Sequence, residues 1–227
     1  MSAKRYALLV IGLAAVAAMV LLTRPASPKG AALNARQRGM ELLGARIAKL
    51  RPQCKVLVLS NPFAKESGYL SENSRFERAG LRGLRIGLGR SSPVKIVFPE
   101  VRPEYFTNRQ SIIIPPDTST PLSFLMQPES LDKLAEAHPE CRVIVSLIGL
   151  PAGVRNLKIW EENDQRCFAL LLPDLRVVGT PADVLGAFQR GKLLTAVVGD
   201  SESNESLIVT KENVADVLEH QPRALGY

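Results

Sequence analysis

Histidine and cysteine are scarce in this chain, at two and three in 227 residues. His138 and His220 fall at the ends of expected helices, and no two cysteines form a Cys-x-x-Cys. A structural zinc site needs about four such ligands held together, so no metal is expected, and three thiols are too few for a disulfide framework. Catalytic signatures are missing as well. There is no Gly-x-Ser-x-Gly elbow, no Walker loop and no His-Glu-x-x-His. A Ser-His-Asp triad has no placed histidine to draw on. Gly87-Leu-Gly89-Arg-Ser-Ser92 resembles a phosphate loop, but it follows a helix, whereas a dinucleotide fingerprint follows a strand and opens a helix. No cofactor is expected.

Acidic residues are nearly absent from the first 51 positions. Nine basic residues stand there against Glu41 alone. The net charge is +7, so the remainder of the chain is close to neutral. A nucleic-acid partner, which calls for a basic domain face, is therefore not expected. Basicity beside an apolar run suits anionic lipid headgroups instead.

That run is residues 6–22, bounded by Tyr6 and Leu22, and it is free of charge. At 1.5 Å per residue it spans roughly 25 Å, and snorkelling of Lys4, Arg5 and Arg24 extends its reach toward the width of a bilayer core. Residues 1–23 are read as an uncleaved N-terminal signal-anchor, because Thr23-Arg24-Pro25 offers no small-x-small cleavage site; a cleaved signal peptide is the alternative. A short apolar run behind a basic N-terminus places the following domain outside the cytoplasm. Loop charge alone favours the cytoplasm, and that alternative stays open. Residues 24–31 (RPASPKGA) are read as a linker, and 32–227 as a single α/β domain.

The domain reads as strands alternating with helices. Lys55-Val-Leu-Val-Leu-Ser60 is apolar between a charged start and a polar exit, as expected of a central strand buried on both faces. Further strands are expected over 94–98, 142–148, 168–172 and 193–198, with short ones over 111–114 and 207–210. Helices between them imply parallel pairing, giving a doubly wound, mainly parallel sheet of five or six strands with helices on both faces. On the expected helix over 75–88, Ser74-x-x-Glu77 resembles a capping box, and Arg75, Arg78, Arg82 and Arg85 form an outward stripe. Its glycines permit close approach to a sheet. Residues 99–128, from Pro99 to Pro128, contain six prolines and exceed what a connection requires, which marks a lid, a ligand-binding loop or a partner-protein interface.

Open parallel sheets bind ligands beyond the carboxyl ends of their strands. This chain places Ser60, Asn61, Glu100, Gly149, Asp174 and Asp200 there, and these are the candidate ligand-binding residues. No catalytic residue is assigned.

Leu50-Arg-Pro-Gln-Cys-Lys-Val-Leu-Val58 aligns with Ala137-His-Pro-Glu-Cys-Arg-Val-Ile-Val145, so Cys54 and Cys141 hold matching places before their strands, and Cys167 precedes the next. With strand order 2-1-3-4-5 all three lie at the amino edge. A Cys54–Cys141 disulfide is one outcome in an oxidising compartment, and three reduced, packed thiols the other.

The segments KVLVLSNPF, VKIVFPEV, VIVSLIGLP and GKLLTAVV, in that order, resemble strands of type I periplasmic-binding-protein-like domains. That resemblance implies a Rossmann-like α/β fold and binding of a small ligand in a cleft between two lobes, with the residues after the linker short for two. The leading functional expectation is a membrane-anchored domain that binds a small ligand or a partner protein without catalysis. The alternatives are an anchored hydrolase or transferase using acids at the strand ends, and a structural subunit of a membrane complex.

Overall fold

The computed structural model describes residues 28–66, 71–199 and 206–227. Residues 6–22 and Asp200 lie outside them. Among the described residues no helix is long and apolar enough to cross a membrane. Two compact units divide the chain, Met1–Asn34 and Ala35–Tyr227. Residues 28–34 of the first are described and form the opening turns of helix α1 (Pro28–Leu50). The second holds the sheet and its layers.

Six strands form one sheet: β1 (Lys55–Leu59), β2 (Val94–Val97), β3 (Cys141–Ser146), β4 (Cys167–Leu171), β5 (Leu193–Gly199) and β6 (Ser206–Val209). Their order is β2-β1-β3-β4-β5-β6, parallel throughout except for β6, which pairs antiparallel with β5. The expected interior place of β1 and the expected order of the first five strands are both found. The short strand expected over 111–114 is not. Those residues leave a 3-10 turn (Arg109–Ser111) and run on as an irregular segment, with Ile113 86% exposed and no strand beside it to satisfy a ladder.

Alternation along β1 explains the layers. Val56 and Val58 face one apolar cluster, with Met40, Leu43 and Ile47 of α1 and Leu84 and Leu88 of α3 (Glu72–Leu88). Leu57 and Leu59 face the other, built over α6 (Glu129–Glu136), α7 (Pro181–Gln189) and α8 (Val214–His220). Two shorter helices, α2 (Pro62–Glu66) and α4 (Glu104–Thr107), and a third, α5 (Pro121–Leu125), belong to the connections at the carboxyl edge. Helix α7 opens on a capping box formed by Thr180 and Asp183. In α3 the cap is Ser71 rather than Ser74, and Glu77 turns inward, where it is 5% exposed.

The glycines of α3 pack on a helix, not on the sheet. A Cβ at Gly83 would sit 2.0 Å from the carbonyl oxygen of Gln37, and one at Gly87 the same distance from that of Glu41. The backbones of α1 and α3 therefore touch, which only glycine allows. This contact carries Arg36 of α1 onto Glu77 of α3.

The three cysteines lie at the amino edge and are free. Cys141 pairs in register with Lys55, so its Cα lies within about 9 Å of that of Cys54. The side chains diverge nonetheless. A register shift between Lys55 and Val56 puts Cys141 in the α6–α7–α8 layer, while Cys54 and Cys167 belong to the α1–α3 layer. Burial pushes the Cys167 thiol up to about 11, as it does, less far, for Cys54 and Cys141. Such thiols pack as small apolar groups.

Candidate functional site

Beyond the carboxyl ends of β1, β3 and β4 lies a crevice of about 250 Å³. The chain leaves β1 toward β2 on one side and enters β3 on the other, so the crevice sits where strand order reverses. Beneath it a buried acid, Glu77, pairs with the half-buried Arg36. Glu77 Oε1 accepts hydrogen bonds from Ser60 Oγ at 3.0 Å and from the Asn61 backbone N–H. Its Oε2 meets Arg36 Nη2 at 3.3 Å. The same guanidinium donates to the carbonyl oxygens of Phe76 and Leu147, both at 3.1 Å, and lies over the Phe76 ring. One arginine thus ties α1, α3 and the end of β3 together. Buried charges persist when paired and fully bonded in this way.

The walls are mixed. Asn61, Asn73 and Ser119 offer amide and hydroxyl groups, while Phe76, Leu122 and Leu172 present apolar surface. Ser119 and Leu122 come from the segment 99–128, which folds back on itself through a bridge between Val101 and Met126 and a bond from Arg102 N to Leu125 O. Gly149, at φ +87°, receives that segment closely: a Cβ there would lie 2.6 Å from Thr120 Cβ. Its carbonyl accepts from Ser146 Oγ.

The six candidate residues divide accordingly. Ser60, Asn61 and Gly149 come together at the crevice, Ser60 beneath it and Gly149 behind Thr120. Glu100 stands apart on an exposed stretch, 3.4 Å from Lys133 Nζ. Asp174 is buried beside a second cavity of about 290 Å³, where it accepts from Thr118 Oγ1 at 2.6 Å and from Arg176 Nη2 at 2.7 Å. Burial alone would raise its carboxyl, but these bonds outweigh it and hold the group below the ordinary value. Arg176 also reaches Asp117 at 2.6 Å, and the two carboxylates keep it firmly charged. Asp200 lies outside the described residues.

Glu77 and Arg36 were not among the candidates. A signal existed: Ser74, Glu77, Leu84 and Leu88 share the inward face of α3, so an acid interrupts an apolar stripe. Arg36 likewise sits four residues before Met40, on the stripe that continues through Leu43 and Ile47.

No family model matches this chain, and no curated protein matches it either. Solved structures do. A carbohydrate transporter from Acidothermus cellulolyticus 11B, in complex with myo-inositol, aligns at 13% identity over 84% of this chain and 62% of its own length, with a TM-score of 0.48. A solute-binding protein from Burkholderia graminis, in complex with D-arabinose, aligns at 14% identity over 79% and 61%, TM-score 0.46. GanP, a glucose-galactose binding protein from Geobacillus stearothermophilus, aligns at 12% over 78% and 61%, TM-score 0.44. Sugar- and solute-binding proteins are thus among the solved structures that this chain resembles. This chain spans less than two thirds of the length of each of these three.

A general base must reach a substrate proton with a free lone pair. Glu77 directs both oxygens at protein donors, and Asp174 does the same at the second cavity. Among the described residues no group of three or more His, Cys, Asp or Glu side chains could hold a metal ion.

Proposed function

We propose that this domain binds a small, uncharged polar molecule in the crevice beyond β1, β3 and β4, and performs no reaction on it. The observation that carries this reading is the Arg36–Glu77 pair. It gives the site a rigid, polar floor whose charge is already cancelled. A charged ligand would find no counter-ion there. A neutral one meets the amides of Asn61 and Asn73 and the hydroxyl of Ser119, with Phe76 and Leu172 against its apolar faces. The volume lies just under the roughly 300–1,000 Å³ usual for drug-sized ligands, which points to something compact. Residues 6–22 would hold the domain at a membrane, on the extracytoplasmic side.

The test is a thermal-shift screen of the purified chain against small sugars, polyols, amides and amino acids, followed by calorimetric titration of hits. Ser119 is exposed at the rim, so Ser119→Trp should fill the crevice without disturbing the core and abolish binding. A panel with no hit, or a hit that Ser119→Trp binds equally well, counts against the reading.

A second reading has its own observation. Phe106 is 72% exposed and Ile113 86%, both in the segment 99–128. Large apolar side chains left exposed on one long segment suit a contact surface for a partner protein. Phe106→Ser with Ile113→Ser should then abolish co-purification of a partner while leaving crevice binding untouched.

A further inference from the structure

The opposite, amino edge of the sheet has a charge imbalance that the crevice lacks. The connections into β4 and β5 enclose a cavity of about 440 Å³ lined by four cations, Arg51, Arg166, Arg190 and Lys192, against two acids, Glu162 and Asp164. Neither acid is free to balance the excess. Asp164 is clasped by Arg166, whose Nε lies 3.0 Å from both carboxylate oxygens, whose Nη2 bonds Oδ2, and whose backbone N–H reaches Oδ1 at 2.8 Å. Glu162 is 87% exposed and stands 4.0 Å from Arg190.

Lys192 is 4% exposed. Its Nζ donates to the carbonyl oxygens of Ile159, at 3.1 Å, and Asp164. Among the described residues no carboxylate lies within ion-pair distance of it. A buried ammonium held by carbonyl dipoles alone is unusual, since buried charge ordinarily finds a counter-charge. Burial pulls it below its ordinary value. Arg166, though paired with Asp164, leaves its Nη1 buried without an acceptor. A buried lysine and a half-buried arginine with unfilled capacity thus stand behind two exposed arginines, Arg51 and Arg190.

We propose that this cavity is an anion site for a phosphoryl or similar tetrahedral oxyanion group, bound directly by Arg51 and Arg190 and drawn in by the field of Lys192 and Arg166. Arginine forks match such oxyanions two bonds at a time. A concave, low-dielectric wall focuses the field of these two cations on the mouth. The cavity exceeds the crevice in volume, so an organic group attached to the phosphate has room. This site is separate from the neutral one at the carboxyl edge and does not rest on it.

Inorganic phosphate and glycerol 3-phosphate, each titrated into the purified full chain, distinguish a free anion from a phosphorylated small molecule. One or both should raise the melting temperature by several degrees where sodium chloride at equal ionic strength does not. Arg51→Ala with Arg190→Ala removes two exposed side chains, so the fold should stand while affinity falls at least about tenfold. Lys192→Met should weaken binding as well, and Ser119→Trp should leave it unchanged. A stabilisation that chloride reproduces, or one that the double variant retains in full, would show an adventitious ion only and overturn the proposal.

Discussion

At the carboxyl edge of the sheet Glu77 is buried with every need met, by two N–H or O–H donors and a guanidinium. At the amino edge Lys192 is buried to a similar extent with only carbonyl oxygens for company. The two edges share one sheet and differ in whether the charge is closed. A closed pair fixes the positions of α1 and α3 and leaves a neutral surface, which would select a ligand by shape and hydrogen bonding. An open charge fixes less and projects a field, which selects by sign. The same chain can therefore present two sites of different character without either disturbing the other.

The strongest way to break this contrast is to open the closed edge. Glu77→Ala leaves Arg36 without its counter-charge and Ser60 and the Asn61 N–H without an acceptor, and should cost about 3 kcal/mol in urea unfolding. Glu77→Gln keeps an acceptor and should cost about half as much. Equal stability of Glu77→Ala and the natural chain would mean that the network does not hold the two helices.

Gly83→Ala attacks the same edge through geometry. The new methyl must displace the Gln37 carbonyl, so α1 shifts from α3 and takes Arg36 with it, at about 2 kcal/mol. Crevice binding should weaken in parallel. An unchanged affinity would separate the helix contact from the site.

Asp174→Asn tests a third buried charge, one that is closed like Glu77. The Asp174 carboxyl is held below its ordinary value in the folded chain, so its contribution is present above the unfolded value and is lost as pH falls through the folded one. The natural chain should therefore lose stability on acidification below about pH 4 more steeply than the variant does. At pH 7 the variant should be weaker by about 1–2 kcal/mol in urea unfolding.

The smallest effect concerns the open edge. Lys192 binds its proton less readily when folded, so an unfavourable contribution is present at neutral pH and is relieved as pH rises through its lowered value toward 10.5. Cys167, pushed up to about 11, works against this, because the unfolded thiol ionises first and draws the chain open. The difference between the natural chain and Lys192→Met isolates the lysine. Denaturation midpoints at pH 7 and pH 10 should show the natural chain gaining on the variant. A constant difference would mean that the ammonium is not strained by burial.

What the sequence disclosed follows from which features are local. The central place of Lys55-Val-Leu-Val-Leu-Ser60 and the order of the parallel strands were legible because apolar runs, turns and crossover rules act over short stretches. The antiparallel turn of β6 was not, since nothing in Leu207-Ile-Val209 distinguishes the direction of a short edge strand. The rule that ligands gather at strand ends named Ser60 and Asn61, which the fold brings to the crevice. Their carboxylate partner was not named, because Ser74-x-x-Glu77 satisfies a local pattern equally well, and only the contact with α1 decides that Glu77 faces inward. Arg36 sits among the basic residues that follow the apolar run, where lipid was the natural reading. The amino-edge cations come from three separate stretches of chain, which no local spacing could assemble.

The outer strand β2 has four residues, lies between Pro93 and Pro99, and exposes Lys95. An added strand at that border would meet two positions without an N–H and would have to cover an ammonium. At the other border the reversed strand β6 is equally short. The sheet is thus terminated at both margins, so crowding of many copies should not recruit backbone into intermolecular ladders. Association between copies, or with another protein, is left to side chains, and Phe106 and Ile113 are the most exposed large apolar ones among the described residues.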